Sequence, residues 1–94
     1  GEVDKAVATY NDMVKTGRTE QAKEFYSENK DLFAVKQQVN TIERQLTKLR
    51  DRSKQIYAST KMSSEEKGAE LERIKQIEDR MLVNINDLRR RAGY

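Results

Sequence analysis

The fold turns on Leu32–Ile56, "LFAVKQQVNTIERQLTKLRDRSKQI". Within it Leu32, Val35, Val39, Ile42, Leu46, Leu49, Ser53 and Ile56 recur at alternating steps of three and four, with Ser53 the only polar member. Such steps place side chains on one stripe of a helix, and more than three heptads of them mark a coiled-coil seam. A helix from Asp31 to Ser59 would be about 42 Å long at 1.5 Å per residue. A stripe of that length needs a partner of similar length.

The partner follows in the chain. "STKMSSEEK", Ser59–Lys67, interrupts the pattern, and Ser63 and Glu66 have the S-x-x-E spacing of a capping box. In that motif the hydroxyl and the carboxylate each serve the other's backbone N–H. Leu71, Ile74, Ile77, Met81, Ile85, Leu88 and Ala92 then mark a second apolar stripe, widened by Leu82 and Val83. Arg89, Arg90 and Arg91 sit where cations suit the negative end of a helix dipole. The second helix is therefore predicted to fold back antiparallel. A loop centred between Lys61 and Met62 sets Leu49 opposite Ile74 and Leu46 opposite Ile77. It also sets Ile42 near Met81, Val39 near Ile85 and Val35 near Leu88. The same register puts Arg44 against Asp79, Glu43 against Arg80 and Lys36 against Asp87, but Arg50 against Arg73. Gly68 is expected to let Ile56 or Tyr57 approach closely across the pair.

Upstream, Val3, Ala6, Val7, Tyr10, Met13 and Val14 form one helical face. Gly17 supplies the positive φ that commonly closes a helix, and Thr19 is the expected cap of the next. Ala22, Phe25, Tyr26 and Asn29 continue at helical spacing, with Asn29 expected in αL and Asp31 expected to cap the long helix. Isolated helices of about 12 residues are marginal in water. These two should pack across the base of the hairpin, at Leu32/Phe33 and Leu88/Ala92. Tyr10, Phe25, Tyr26 and Phe33 then read as the plug between them, not as a recognition patch. The expected fold is all-α, two short N-terminal helices on the base of a long antiparallel, coiled-coil-like hairpin. Its helices run 3–16, 19–29, 31–59 and 64–92 in one domain. A helical face that starts at Val3 is expected of a piece of a larger protein, with Gly1 extraneous.

Composition narrows the chemistry. There is no Cys, His, Trp or Pro. That excludes disulfides, Cys/His zinc sites, His general bases and Cys nucleophiles. No apolar run approaches the roughly 20 residues that span a bilayer, so no membrane partner is expected. Charged residues are 37% of the chain and apolar ones 35%, as in long exposed helices. The net charge of +3 is uneven: residues 1–31 carry −2, residues 32–60 carry +4 and residues 61–94 carry +1.

No constellation of catalytic residues stands out. Glu65/Glu66, Glu70/Glu72 and Glu78/Asp79 are adjacent or near-adjacent carboxylates on one helix. Acid–base work needs two carboxyls sharing a cleft, so these read as solvated surface. No calcium-type D-x-D-x-D-G loop is present, and no metal or cofactor is expected. Two interaction readings remain. Leu46, Leu49, Ile56, Leu71 and Ile74, toward the tip, are expected to leave apolar area for a second copy or another part of a parent protein. Alternatively, Arg44, Lys48 and Arg52 form one stripe at i, i+4 and i+8 that could contact nucleic-acid phosphates. Glu65, Glu70 and Glu72 are expected within reach of that stripe, which favours a solvated or internally paired face.

The order "GRTEQAKEFYSENKDLF" (Gly17–Phe33), a heptad helix, "MSSEEK" (Met62–Lys67) and a helix ending in arginines is similar to a known family. The chain resembles a helical large polyvalent protein-associated domain, found near the C-terminus of giant phage and prophage proteins. The matching positions are Gly17, Glu20, Ala22, Phe25, Tyr26, Asn29, Ser63, Glu66 and Lys67. The resemblance implies a virion or DNA-ejection setting, in the host cytoplasm or the virion, and no catalytic residue in this segment. The first two helices also resemble one tetratricopeptide unit, but no second copy follows.

Overall fold

A computed structural model describes residues 1–93 as α1 (Glu2–Lys15), α2 (Thr19–Glu28), α3 (Lys30–Ala58) and α4 (Ser64–Arg91). No strand occurs among the described residues. The all-α chain is drawn out to 58 × 26 × 16 Å, with a radius of gyration of 18.9 Å. A compact domain of this length would have about 12 Å. α3 alone, at 29 residues, supplies most of the long dimension.

The first break is set by Gly17, at φ +78°. The Arg18 N–H donates to the Met13 carbonyl at 2.9 Å and the Gly17 N–H to Val14 at 3.2 Å. This pair of bonds is the Schellman closure, which satisfies carbonyls orphaned at a helix end. Arg18 adds an ion pair to Asp12 at 3.0 Å, tying the turn to α1. The expected cap at Thr19 is not formed. Thr19 is already the first residue of α2, and the preceding Arg18 makes no side-chain cap.

The second break is tighter than the expected αL turn. Asn29 has φ −121° and ψ 29°, and no described non-glycine residue has positive φ. It is the single residue between α2 and α3, and it serves both. Its Nδ2 and backbone N–H donate to the Phe25 carbonyl at 2.9 and 3.1 Å. Its own carbonyl accepts from the Leu32 and Phe33 N–H groups at 3.0 and 3.3 Å. Asp31 is consequently not a cap but lies inside the first turn of α3, where a carboxylate suits the helix dipole. A one-residue kink leaves no room for a side-chain cap.

At the third break Ser59 is extended, and Ser63 caps α4 by accepting from the Glu66 N–H at 3.1 Å. Gly68 departs from expectation. A Cβ built there would meet nothing within 4 Å, so neither Ile56 nor Tyr57 presses on it.

α3 packs along α4, while α1 rests on α2 and α3 and α2 touches the start of α3. Two ties show the direction of the long pair. Lys67 Nζ donates to the Tyr57 carbonyl at 3.2 Å near the turn, and Arg89 pairs with Glu43 at 2.7 Å toward the base. Val39, Leu46 and Ile56 of α3 and Ile74 and Ile85 of α4 are buried, with half-buried positions between them. Val35 and Leu88 line one hollow near the base. At the base, Phe33 is the hub of an aromatic cluster. Its ring stacks on Tyr26 at 4.6 Å and meets Tyr10 and Phe25 edge-on at 5.5 and 6.3 Å. Val3, Ala6 and Ala22 complete this core.

The charge pairings differ from the drawn register. Glu43 meets Arg89, not Arg80; Lys36 meets Asp4 at 3.8 Å, not Asp87; and Asp87 is held by Arg90 and Arg91 of its own helix. Arg44 forms no ion pair with Asp79; its Nη donates to Thr41 at 3.4 Å. The cause is side-chain direction. Each Cα–Cβ bond tilts toward its helix's N-terminus, so in an antiparallel pair long side chains lean toward each other along the axis. Glu43 leans toward the level of Val39 and Arg89 toward that of Ile85. Both are buried seam positions paired in the sequence reading. Long charged residues thus meet several positions beyond direct opposition.

Candidate functional site

The α3–α4 pair has two sides, each marked by a shallow hollow. On one, Ser53 and Tyr57 of α3 face Gly68, Leu71, Lys75 and Glu78 of α4. Helical repeats of 7 and 18 residues carry this side to Glu43, Arg89 and Lys36, and so to Asp4 of α1. It is the α1 side: α1 rests on α3 at the base, and the side is bare toward the tip. On the other, Gln38, Thr41 and Ile42 face Asn84, Asp87 and Leu88. No helix packs over this open side.

The sequence-derived residues do not converge on one surface. Leu46, Ile56 and Ile74 are buried within the pair, at 4%, 1% and 6% exposure, so the expected bare apolar tip is not made of them. Apolar seam residues are satisfied by the partner helix first, and periodicity does not reveal how much remains. Leu49 and Leu71 stay half-buried but face different sides. Leu71 lines the α1-side hollow, whereas Leu49 is 11 residues after Gln38, about three turns, and faces the open side.

The bare apolar groups are others. Tyr57 is 71% exposed and Leu82 40% exposed. Tyr57 borders the α1-side hollow, and Leu82 stands one heptad beyond Lys75 and one turn beyond Glu78, which line it. Gly68, lacking a side chain and untouched, leaves the dent between them. Val83, exposed by 67%, points outward alone. The sequence held a signal for Tyr57: an aromatic ring one position past the seam has no intramolecular place.

Arg44, Lys48 and Arg52 are exposed along α3. Among the described residues none of them forms an ion pair with Glu65, Glu70 or Glu72, so of the solvated or internally paired face expected, the solvated form is the one seen. Glu70 instead engages Arg73 of its own helix at 3.6 Å. On a helix, a partner three residues away is always near, while one on the neighbouring helix must also match in level and side.

Glu65, Glu66, Glu72 and Asp79 are exposed, and no three carboxylates converge among the described residues. No described helix is long and apolar enough to cross a membrane. No protein-family model, curated protein or solved structure matches the chain.

Proposed function

We propose that this chain is a non-enzymatic assembly module. Its α3 and α4 form an antiparallel, coiled-coil-like hairpin whose α1 side docks a second copy of the same chain. The observation carrying this reading is the apolar strip of exposed Tyr57 and Leu82 with half-buried Leu71 between them, on the side where α1 rests on α3 at the base. An apolar strip continuous with a covered one marks a partner surface more than scattered exposure does. The Gly68 dent accepts a bulky side chain, and Lys75 and Glu78 beside it carry opposite charges. In a two-fold pairing each patch faces its own image, and opposite charges on one patch let it complement itself. In this hairpin Leu46 lies near Ile77 and Val35 near Leu88.

The setting follows from the resemblance: a virion, DNA-ejection or mobile-element protein, with this module pairing copies or packing against other parts of the parent. The test is the mass in solution by light scattering over a concentration series. A dimer or tetramer is expected, and Tyr57→Ser with Leu82→Ser should shift it to monomer at unchanged helicity. A strictly monomeric protein at high concentration would count against self-association.

A further inference from the structure

We propose that the open side of the α3–α4 pair binds duplex nucleic acid along its phosphate backbone, without reading sequence. One-heptad steps from Gln38 and Thr41 lead to Gln45 and Lys48, and another from Gln45 leads to Arg52. The same steps backward from Asp87 lead to Arg80 and Arg73. Lys48, Arg52, Arg73 and Arg80 therefore share one side, two from each helix. The stripe visible on α3 alone is half of a two-helix array.

Three carboxylates share this side but flank the array: Asp87 lines its hollow toward the base, and heptad steps back from Arg73 and Asn84 lead to Glu66 and Glu70 toward the tip. Asp87 is engaged by Arg90 and Arg91, and Glu70 by Arg73. Glu72 and Glu78 line the opposite hollow, Asp79 is one heptad from Glu72, and Glu43 is held by Arg89. Among the described residues Lys48, Arg52 and Arg80 take part in no ion pair, and Arg73 meets only Glu70 while 72% exposed. A net charge of +3 does not reveal this local cluster of cations. A second copy on this side would set cations against cations, so this surface and the self-association surface are separate.

The chemistry selects phosphate. Three of the four cations are arginines, whose planar forks match phosphate oxygens. Gln38, Thr41, Gln45 and Asn84 continue the side with amides and a hydroxyl, groups that contact phosphate and sugar. Lys48 and Arg52 are one turn apart, about 6 Å along a rigid helix. Among the described residues no aromatic ring lies on this side: Tyr57 borders the other hollow, and the remaining described rings form the basal cluster. Single-strand binders rely on rings to stack bases, so a duplex fits better.

Fluorescence anisotropy with a labelled random-sequence DNA duplex at low salt tests the assignment. Weak binding is expected, with a log–log salt slope of about −3 to −4 for three to four neutralised phosphates. Lys48→Gln, Arg52→Gln and Arg80→Gln together should abolish it. Arg50→Gln, Lys54→Gln and Lys61→Gln remove the same charge elsewhere and should retain it, with both triple variants equally helical by circular dichroism. Absence of wild-type binding, equal loss in both triples, or tighter binding to polyglutamate or anionic vesicles would each overturn the proposal. Light scattering reports self-association separately, so either surface can fail alone.

Discussion

The base and the shaft of this molecule are held together in different ways. At the base three chain segments meet around one residue, Phe33, with rings from α1 and α2 at 4.6 to 6.3 Å. Along the shaft two helices share a repeating aliphatic seam in which buried Val39, Leu46 and Ile56 are spaced by half-buried positions. The base concentrates its stability in a few large contacts; the shaft spreads it over many small ones. A two-helix shaft buries only a narrow stripe of each helix, so both sides stay available to partners.

The sharpest way to break the contrast is Phe33→Ala. Removing a buried aromatic costs about 3–5 kcal/mol, a large fraction of a small domain's stability. Chemical denaturation should show this loss, with α1 and α2 amides exchanging before those of α3. An unchanged midpoint would remove Phe33 from its role as hub. In the shaft, Leu46→Ala should cost about 2–4 kcal/mol. Combined with Ile77→Ala it should show coupling of about 0.5 kcal/mol or more, because residues in contact are not additive. Strict additivity would mean that the two side chains do not meet and the register is wrong.

Two glycines separate turn from shaft at smaller scale. Gly17→Ala forces a Cβ into αL geometry and should destabilise by about 1–2 kcal/mol, although nothing crowds the site. Gly68→Ala should do the reverse, stabilising the monomer by about 0.5–1 kcal/mol, since it sits in open helix. If the dent receives a partner's side chain, the same substitution should weaken self-association. Thermal melts at two protein concentrations distinguish the two effects.

Much of the fold was legible because its determinants are local. Gly17 marked a stop that only positive φ provides, Ser63 and Glu66 marked a start, and the seam from Leu32 to Ile56 announced a long helix. The cap assignments at Thr19 and Asp31 missed because neighbouring residues took the boundary. At Asn29 the chain kinks through one residue, where propensity alone suggested a turn. The candidate surfaces were less legible for a different reason. Whether Leu46 or Tyr57 faces water depends on which side of α3 the second helix takes. That choice buried Leu46 and left Tyr57 bare. The cations of α4 at Arg73 and Arg80 joined those of α3 only once the two helices lay side by side.

The Glu2 N–H donates to the Gly93 carbonyl at 2.8 Å, so the two ends of the described chain meet at one point. Mechanically, that makes the molecule a cantilever anchored at its base. Tension applied through residues 2 and 93 would not run down the shaft or shear its seam. It would open the Glu2–Gly93 bond and the Lys36–Asp4 pair at the root and then peel α1 and the end of α4 away one turn at a time. A load on the tip near Lys61 would instead pull along both long helices at once, so their helical hydrogen bonds share it and the seam is not loaded. The rod is built to yield at its root and to hold at its tip.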